Sequence, residues 1–349
     1  VSAVSWLYRS ETDREPGCPK FDSITDSPRP NLRSVGILTA LDAAPAPDAF
    51  RPAYSAPEKS VRFHASQIDY ARLPVLKLPP GAREPDFAKL ANAFSKTWLD
   101  HVYGWMGGQT HPSDHMPFYG RDMGRLVGDA TLRLFTDGAP RGKNTDKDRL
   151  LIGLIQYGID SVGIADAGGG WPADGGIGLG RKWPILFAGA MLGDKHMLGV
   201  GQWKTRFQDD EQTFYVSQAE VDLTNGPTWK PDKRAPPQPY TQADIGKPEW
   251  GIRHVKTPEL DNAHWSATYR SISNAILPAF ALSARLMSLK ETWNHEALFD
   301  YCDRAMASER GEKATLPSPF LEAMWTAYRP AAGESAPVPE PTITSISKL

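Results

Sequence analysis

Apolar residues recur at helical spacing through most of the chain, and the stretches that break this spacing are rich in proline or glycine. From Asp86 to Met106, the residues Phe87, Leu90, Phe94, Trp98, Val102 and Trp105 form one stripe at a period of about 3.6, which predicts an amphipathic helix. Asp122–Phe135 repeats the pattern through Met123, Leu126, Ala130, Leu132 and Leu134. Thr145 with Asp148 three positions on reads as a capping start, followed by Leu150, Leu151, Leu154, Ile155, Ile159 and Val162 on one helix. Trp183–Leu192 is nearly all apolar, as an interior helix is. Further helices are predicted over His264–Leu289, Asn294–Ala307 and Phe320–Tyr328.

Residues 1–85 differ. Pro28, Pro30, Pro45, Pro47, Pro52, Pro57, Pro74, Pro79 and Pro80 interrupt them, and each removes a backbone donor and restricts the residue before it. Apolar anchors such as Phe50, Phe63, Ile68 and Leu73 predict an extended arm that lies along a folded body. Residues 206–260 are polar, Pro-rich and weakly patterned, and read as an insertion that covers a substrate. The organisation expected is therefore an arm over 1–85, an all-α body over 86–329 built as an (α/α) toroid or barrel, and a Pro/Ala/Ser-rich tail over 330–349.

Composition narrows the function. The chain has 349 residues, 40% of them hydrophobic and 10% aromatic, which is globular. A formal charge of −2 with interspersed signs argues against nucleic acid, which requires clustered excess Lys and Arg. No run approaches the roughly 20 apolar residues of a membrane span. The most apolar stretch, Ala275–Met287, contains Pro278 and Arg285. Cys18 and Cys302 have no near Cys partner, which excludes zinc-knuckle and CxxC readings and leaves either one long-range disulfide or two free thiols.

Four clusters carry chemistry. The segment 107–122 holds His111 and His115 on either side of a Pro-Ser-Asp turn, two groups that titrate near neutrality. A zinc site needs three or four ligands and nothing fixes a third, so no metal is expected. The segment 168–183 gathers seven glycines around Trp171 and Trp183, permitting close backbone approach to a ligand. It lacks the strand and the GK[ST] of a nucleotide loop. Arg181 and Lys182 stand at a helix start, where the macrodipole opposes them, so an anion is expected beside them: Asp174 or a ligand carboxylate. The densest polar-aromatic cluster runs from Trp250 through Arg253, His254, Asp261, His264 and Trp265 to Tyr269 and Arg270. An arginine beside a tyrosine favours phenolate, and such a tyrosine can remove a proton and return one. The fourth cluster, Trp293–Arg304, reads as a structural helix packing Leu298, Phe299 and Cys302 inward.

The segments His111-Pro112-Ser113-Asp114-His115-Met116-Pro117, Tyr157-Gly158-Ile159-Asp160, Asp174-Gly175-Gly176 with Gly180-Arg181-Lys182, and Trp293-Asn294-His295 with Phe299-Asp300-Tyr301 span roughly residues 95–310. In these the chain resembles bacterial helical-barrel polysaccharide lyases, the alginate and glucuronan lyases of polysaccharide lyase family 38. The family pattern has asparagine at the position of His115 and histidine at that of Ile177, so a proton-transfer role at residue 177 is lost or relocated here. The resemblance implies β-elimination of a 1,4-linked polyuronate without a cofactor, by a protein secreted or held in the periplasm. The implied catalytic residues are Tyr269, His111, His254 and Arg253. Substrate contacts are expected from His115, Arg181, Lys182, Arg270 and Asp174, with Trp171, Trp250 and Trp265 stacking on sugar faces. Two other readings compete. A helical-barrel glycoside hydrolase would use two carboxyls drawn from Asp114, Asp122, Asp174 and Asp261, and a non-catalytic carbohydrate-binding protein would use none.

Overall fold

The structure, a computed structural model, describes residues 2–8, 32–100, 119–137, 145–173, 178–227, 239–251, 275–308 and 317–329. The described residues are mostly helical, with two small antiparallel sheets. None of the described helices is long and apolar enough to cross a membrane.

The arm begins with β1 (Ser2–Tyr8) paired to β2 (Leu32–Thr39), a hairpin where the sequence predicts only extended chain and turns. Residues 40–85 then contribute to the body. Phe50, Ala53, Tyr54, Ile68, Leu73 and Leu76 belong to the main core, and the Leu76 N–H donates to Phe135 O at 2.7 Å.

Helix α1 (Phe87–Phe94) is capped by Asp86, which accepts the Lys89 N–H at 2.8 Å. The apolar stripe predicts that this helix continues to Met106, but it stops twelve residues earlier. The Trp98 indole turns back, stacks on Phe94 with ring centroids 4.7 Å apart, and donates to Ala93 O at 3.0 Å. That bond takes one of the carbonyls a helix end leaves free.

Two helices form the centre. In α2 (Tyr119–Leu134) Thr131 accepts the indole N–H of Trp183 at 2.9 Å. The second, α3 (Asp146–Asp166), starts where the sequence predicts, with the Thr145 hydroxyl accepting the Asp148 N–H. Helix α4 (Lys182–Leu192) is interior, and Trp183, Ile185, Leu186, Phe187 and Ala188 are fully buried. It approaches α3 at Gly158, where a Cβ would sit 2.6 Å from Ala188 Cβ and against Pro184 O. Only glycine admits that contact.

After α5 (Lys195–Leu198), the described residues 207–227 and 239–251, within the insertion predicted over 206–260, form a small unit with its own strands. It consists of α6 (Gln208–Glu211), β3 (Thr213–Tyr215), α7 (Gln218–Asn225) and β4 (Pro248–Trp250), with β3 paired to β4. Val216, Val221 and Tyr240 form its own minor core. Helix α8 (Leu277–Leu286) packs on α2, and α9 (Lys290–Trp293), α10 (Glu296–Ser308) and α11 (Pro319–Tyr328) complete the body. Leu298, Phe299 and Cys302 of α10 are fully buried, as predicted. The Cys302 thiol is free, and burial raises its pKa. The predicted tail over 330–349 lies outside the described residues.

Candidate functional site

Helix α6 is a four-residue turn in which every side chain holds part of the glycine-tryptophan segment. Gln208 accepts the Gly178 N–H at 2.7 Å, and Asp209 accepts the Gly180 N–H at 2.8 and 3.1 Å. Asp210 takes the Lys182 ammonium at 2.5 Å and the Trp293 indole N–H at 2.8 Å. Glu211 accepts the Ala173 N–H at 2.7 Å and pairs with Arg206. A glycine-rich segment exposes backbone donors, and Gln208, Asp209 and Glu211 each satisfy one, while Asp210 takes side-chain donors. Gly180 has a second constraint: its φ of +81° lies in the left-handed region, and a Cβ there would meet the Phe280 ring at 2.6 Å.

Beneath this turn lies a buried ionic knot. The Arg181 guanidinium bonds Asp100 through Nε at 2.8 Å and Nη2 at 3.1 Å, and Leu179 O through Nη1 at 2.7 Å. The Tyr157 hydroxyl donates to Asp100 Oδ2 at 3.0 Å, and the Tyr54 oxygen accepts the Asp100 N–H at 3.0 Å. The Trp171 indole donates to Asp100 O at 3.2 Å. Burial opposes the Arg181 charge, but Asp100, Tyr157 and Asp209 together more than offset it, so the Arg181 pKa is raised. Burial also pushes the Tyr157 hydroxyl well up, with Asp100 adding to the rise.

These bonds correct several expectations. Among the described residues the anions that pair with Arg181 and Lys182 are Asp100 and Asp210, neither of which the sequence reading named. Both cations are 1% exposed and fully engaged, Lys182 also through Trp293 O at 2.7 Å, so they brace the fold and do not face substrate. Trp171, stacked on Phe207, is 6% exposed and Trp250 is 1% exposed, so neither offers a face to a sugar. Indole is apolar over most of its area, and both rings are drawn into the core. Tyr269, Arg270, Arg253, His254, His111, His115, Trp265 and Asp174 lie outside the described residues, as do Asp114, Asp261 and Ile177.

The described stems of the segments that carry those residues meet at one place. Asp100, the last described residue before 101–118, is bonded to Arg181. Met123, in the first turns after that segment, lies 3.1 Å from Arg181 Nη2 through its sulfur. Ala173 and Gly178 bracket residues 174–177, and both are held by α6. Gly251, before 252–274, donates to Gln212 O, and the Gln212 side chain bonds Gln208 at 2.6 Å. On the far side of 252–274, Ile276 packs against Gly124, where a Cβ would lie 2.7 Å from Ile276 Cγ2 and 3.5 Å from Leu179 O. The sequence reading missed Asp100 and all four residues of α6. The visible signal was a run of four acceptor side chains opening a weakly patterned stretch.

Next to α6 the surface opens into a cleft of about 490 Å³ lined by Asp210, Glu211, Phe214, Tyr215, His295 and Glu296, among others. Tyr215 donates to Asp300 Oδ2 at 2.6 Å. Burial and that hydrogen bond to Asp300 raise its pKa, so the phenol stays protonated. Among the described residues, no group of three His, Cys, Asp or Glu lies together that could hold a metal ion.

Burial pushes the Asp209 carboxyl up to about 7; the Gly180 N–H, Arg181 and Lys182 oppose the rise and Asp210 adds to it. A carboxyl with a raised folded-state pKa contributes stability that is fully present below its unfolded value and lost as pH climbs through the folded value. Asp209 should therefore make the protein less stable between about pH 4 and pH 7, at up to about 1.4 kcal/mol per pH unit. Asp209→Asn removes the titration and should flatten that slope in urea unfolding measured across the range. An unchanged slope would contradict the assignment.

No protein-family model matches the chain, and no curated protein or solved structure matches it.

Proposed function

We propose that the protein is an exported polysaccharide lyase that cleaves a 1,4-linked polyuronate of glucuronan or alginate type by β-elimination, and that its helices close as an (α/α) barrel around the polymer. The observation that supports this is the meeting of the three loop stems, 100/123, 173/178 and 251/276, around the α6 turn and the Asp100–Arg181 pair. An elimination needs several groups on one substrate, and they stand far apart in this sequence. Stems held together by buried bonds give loops a rigid base.

In the reaction, a cationic group neutralises the C6 carboxylate and so acidifies the C5 proton. A base takes that proton, the C4–O4 bond breaks, a C4–C5 double bond forms, and an acid protonates O4. Stabilising the charge that builds on the carboxylate is the largest contribution. Arg253 and Arg270 are the cations proposed for it, with His115 assisting, because Arg181 and Lys182 are engaged elsewhere. Tyr269 is proposed as base and then acid, with His111 or His254 as the alternative base.

The hydrolase reading has less support. It requires one carboxyl held protonated opposite one held ionised. Asp210, Glu211 and Glu296 in the cleft each pair with a cation, Lys182, Arg206 and Lys290 respectively. Asp129, Asp160 and Asp209 have raised pKa values, the first to about 6 and the last to about 7, but none of them lines the cleft.

The test is a panel of glucuronan, polymannuronate, polyguluronate, pectate and hyaluronan, followed by the ultraviolet absorbance of the unsaturated uronate end. At least one polymer should give a steady increase. Reducing ends released without that absorbance would replace the lyase by a hydrolase.

A further inference from the structure

We propose that the cleft between β3 and the start of α10, beside the α6 turn, is a further ligand site that takes a neutral sugar unit through its hydroxyls. The ligand class rests on the carbohydrate reading above, whereas the site itself does not depend on β-elimination.

The state of His295 is set by its neighbours. The Thr213 hydroxyl donates to Asp209 O at 2.7 Å, so its oxygen can only accept from His295 Nε2, 2.8 Å away. Thr213 O also lies 2.9 Å from the same nitrogen. Two acceptors at Nε2 place the proton there. In that tautomer Nδ1 carries a lone pair, and no described residue bonds it. Asn294 is held alike: its amide NH2 donates to Gly201 O at 3.0 Å, which leaves its oxygen as the free end.

The lining is therefore rich in acceptors: three carboxylates, one amide oxygen and one imidazole nitrogen. Among the described residues, the cations near it are already bonded. Lys182 is buried against Asp210, Arg206 pairs with Glu211, and Lys290 pairs with Glu296. A carboxylate-bearing ligand would meet like charge with no cation left among the described residues to receive it. A cationic ligand would meet carboxylates that are already neutralised. A ring bearing several O–H groups satisfies the acceptors without either penalty.

An aromatic platform completes the site. Tyr215 is 39% exposed, and its bond to Asp300 anchors the ring at its hydroxyl end. The C–H face of a pyranose is weakly positive and suits the negative face of an aromatic ring. Apolar walls with a few placed polar groups are what small-molecule sites share, and this cleft has Phe214 and Ala297 beside the acceptors.

The experiment titrates the whole protein with neutral tetrasaccharides of gluco, manno and galacto configuration, an aminosugar tetramer and a tetraglucuronate. Binding is read by calorimetry and by the ring resonances of His295. A neutral tetramer should bind saturably and shift those resonances, and Tyr215→Ala should weaken it at least about tenfold, or roughly 1.4 kcal/mol. Absence of saturable neutral binding, a preference for the aminosugar or the uronate, or an unchanged Kd in Tyr215→Ala would each overturn the proposal. If that variant does not fold, unshifted His295 resonances in the unaltered protein under saturating neutral sugar overturn it as well. A protein that binds neutral sugar here yet releases no unsaturated product from any polyuronate keeps this site and loses the lyase reading; the reverse result loses only this site.

Discussion

Replacing Asp100 with alanine is expected to destabilise the fold by about 3–5 kcal/mol, the range for removing one partner from a buried ion pair. Asp100 is 3% exposed and Arg181 is 1% exposed, so no water replaces the lost carboxylate. Among the described residues the guanidinium would keep only Leu179 O and the Met123 sulfur, and the Tyr157 hydroxyl would lose its acceptor. Arg181→Met should cost a similar amount, because it strands the carboxylate. The double variant should cost clearly less than the two singles added together, since the desolvation penalty of each ion goes with it. Urea unfolding of the four proteins measures this directly. A loss under about 1 kcal/mol for Asp100→Ala, or strict additivity, would mean that the pair is not the brace described here. Polymer cleavage should fall further than stability alone accounts for, because the stems of the 101–118 and 174–177 segments both hang on this pair.

The contrast between Arg181 and α3 explains what a single sequence discloses. Helix α3 is legible at its start and along its buried face because those determinants are local: a threonine cap, an aspartate three residues on, and apolar residues one turn apart. The same holds for α4 and for the inward face of α10. Arg181 also signalled a need for an anion, and the local candidate was Asp174. The actual partner is 81 positions away, and no periodicity links the two. The α6 acceptors follow the same logic, since Gln208 and Asp209 serve amides 30 and 29 residues earlier. Helix α1 was read too long because Trp98 fits the stripe by spacing, yet its indole bonds back to Ala93 and closes the helix. Strands β3 and β4 have three residues each, too few for alternation to register against a polar background. Spacing gave no way to tell a buried indole from an exposed one, and so Trp171 and Trp250 were assigned to sugar stacking although both are core residues. In the fourth cluster the helical face was legible. The state of His295 was not, because it is set by Thr213, 82 residues away.

Turnover of Tyr269→Phe on a cleavable polyuronate is expected to fall by about a hundredfold to ten-thousandfold, the usual contribution of a positioned acid or base. Phenylalanine keeps the ring and removes only the oxygen that would take the C5 proton and pass it to O4. Polymer binding should therefore persist with a Kd within about threefold, so the loss appears in kcat and not in KM. The pH profile gives a second measure. A phenolate base makes the rate rise with pH until the tyrosine has titrated, and an adjacent arginine moves that rise below the ordinary tyrosine pKa of about 10. The residual activity of the phenylalanine variant should lack the rise. His111→Ala and His254→Ala, measured beside it, separate the candidate bases, because a histidine base would place the rise near pH 6.5, about the ordinary histidine value. Full turnover in Tyr269→Phe with the rise intact would move the base to one of those histidines while leaving the α6 turn and the Asp100–Arg181 pair as the frame that holds the loops.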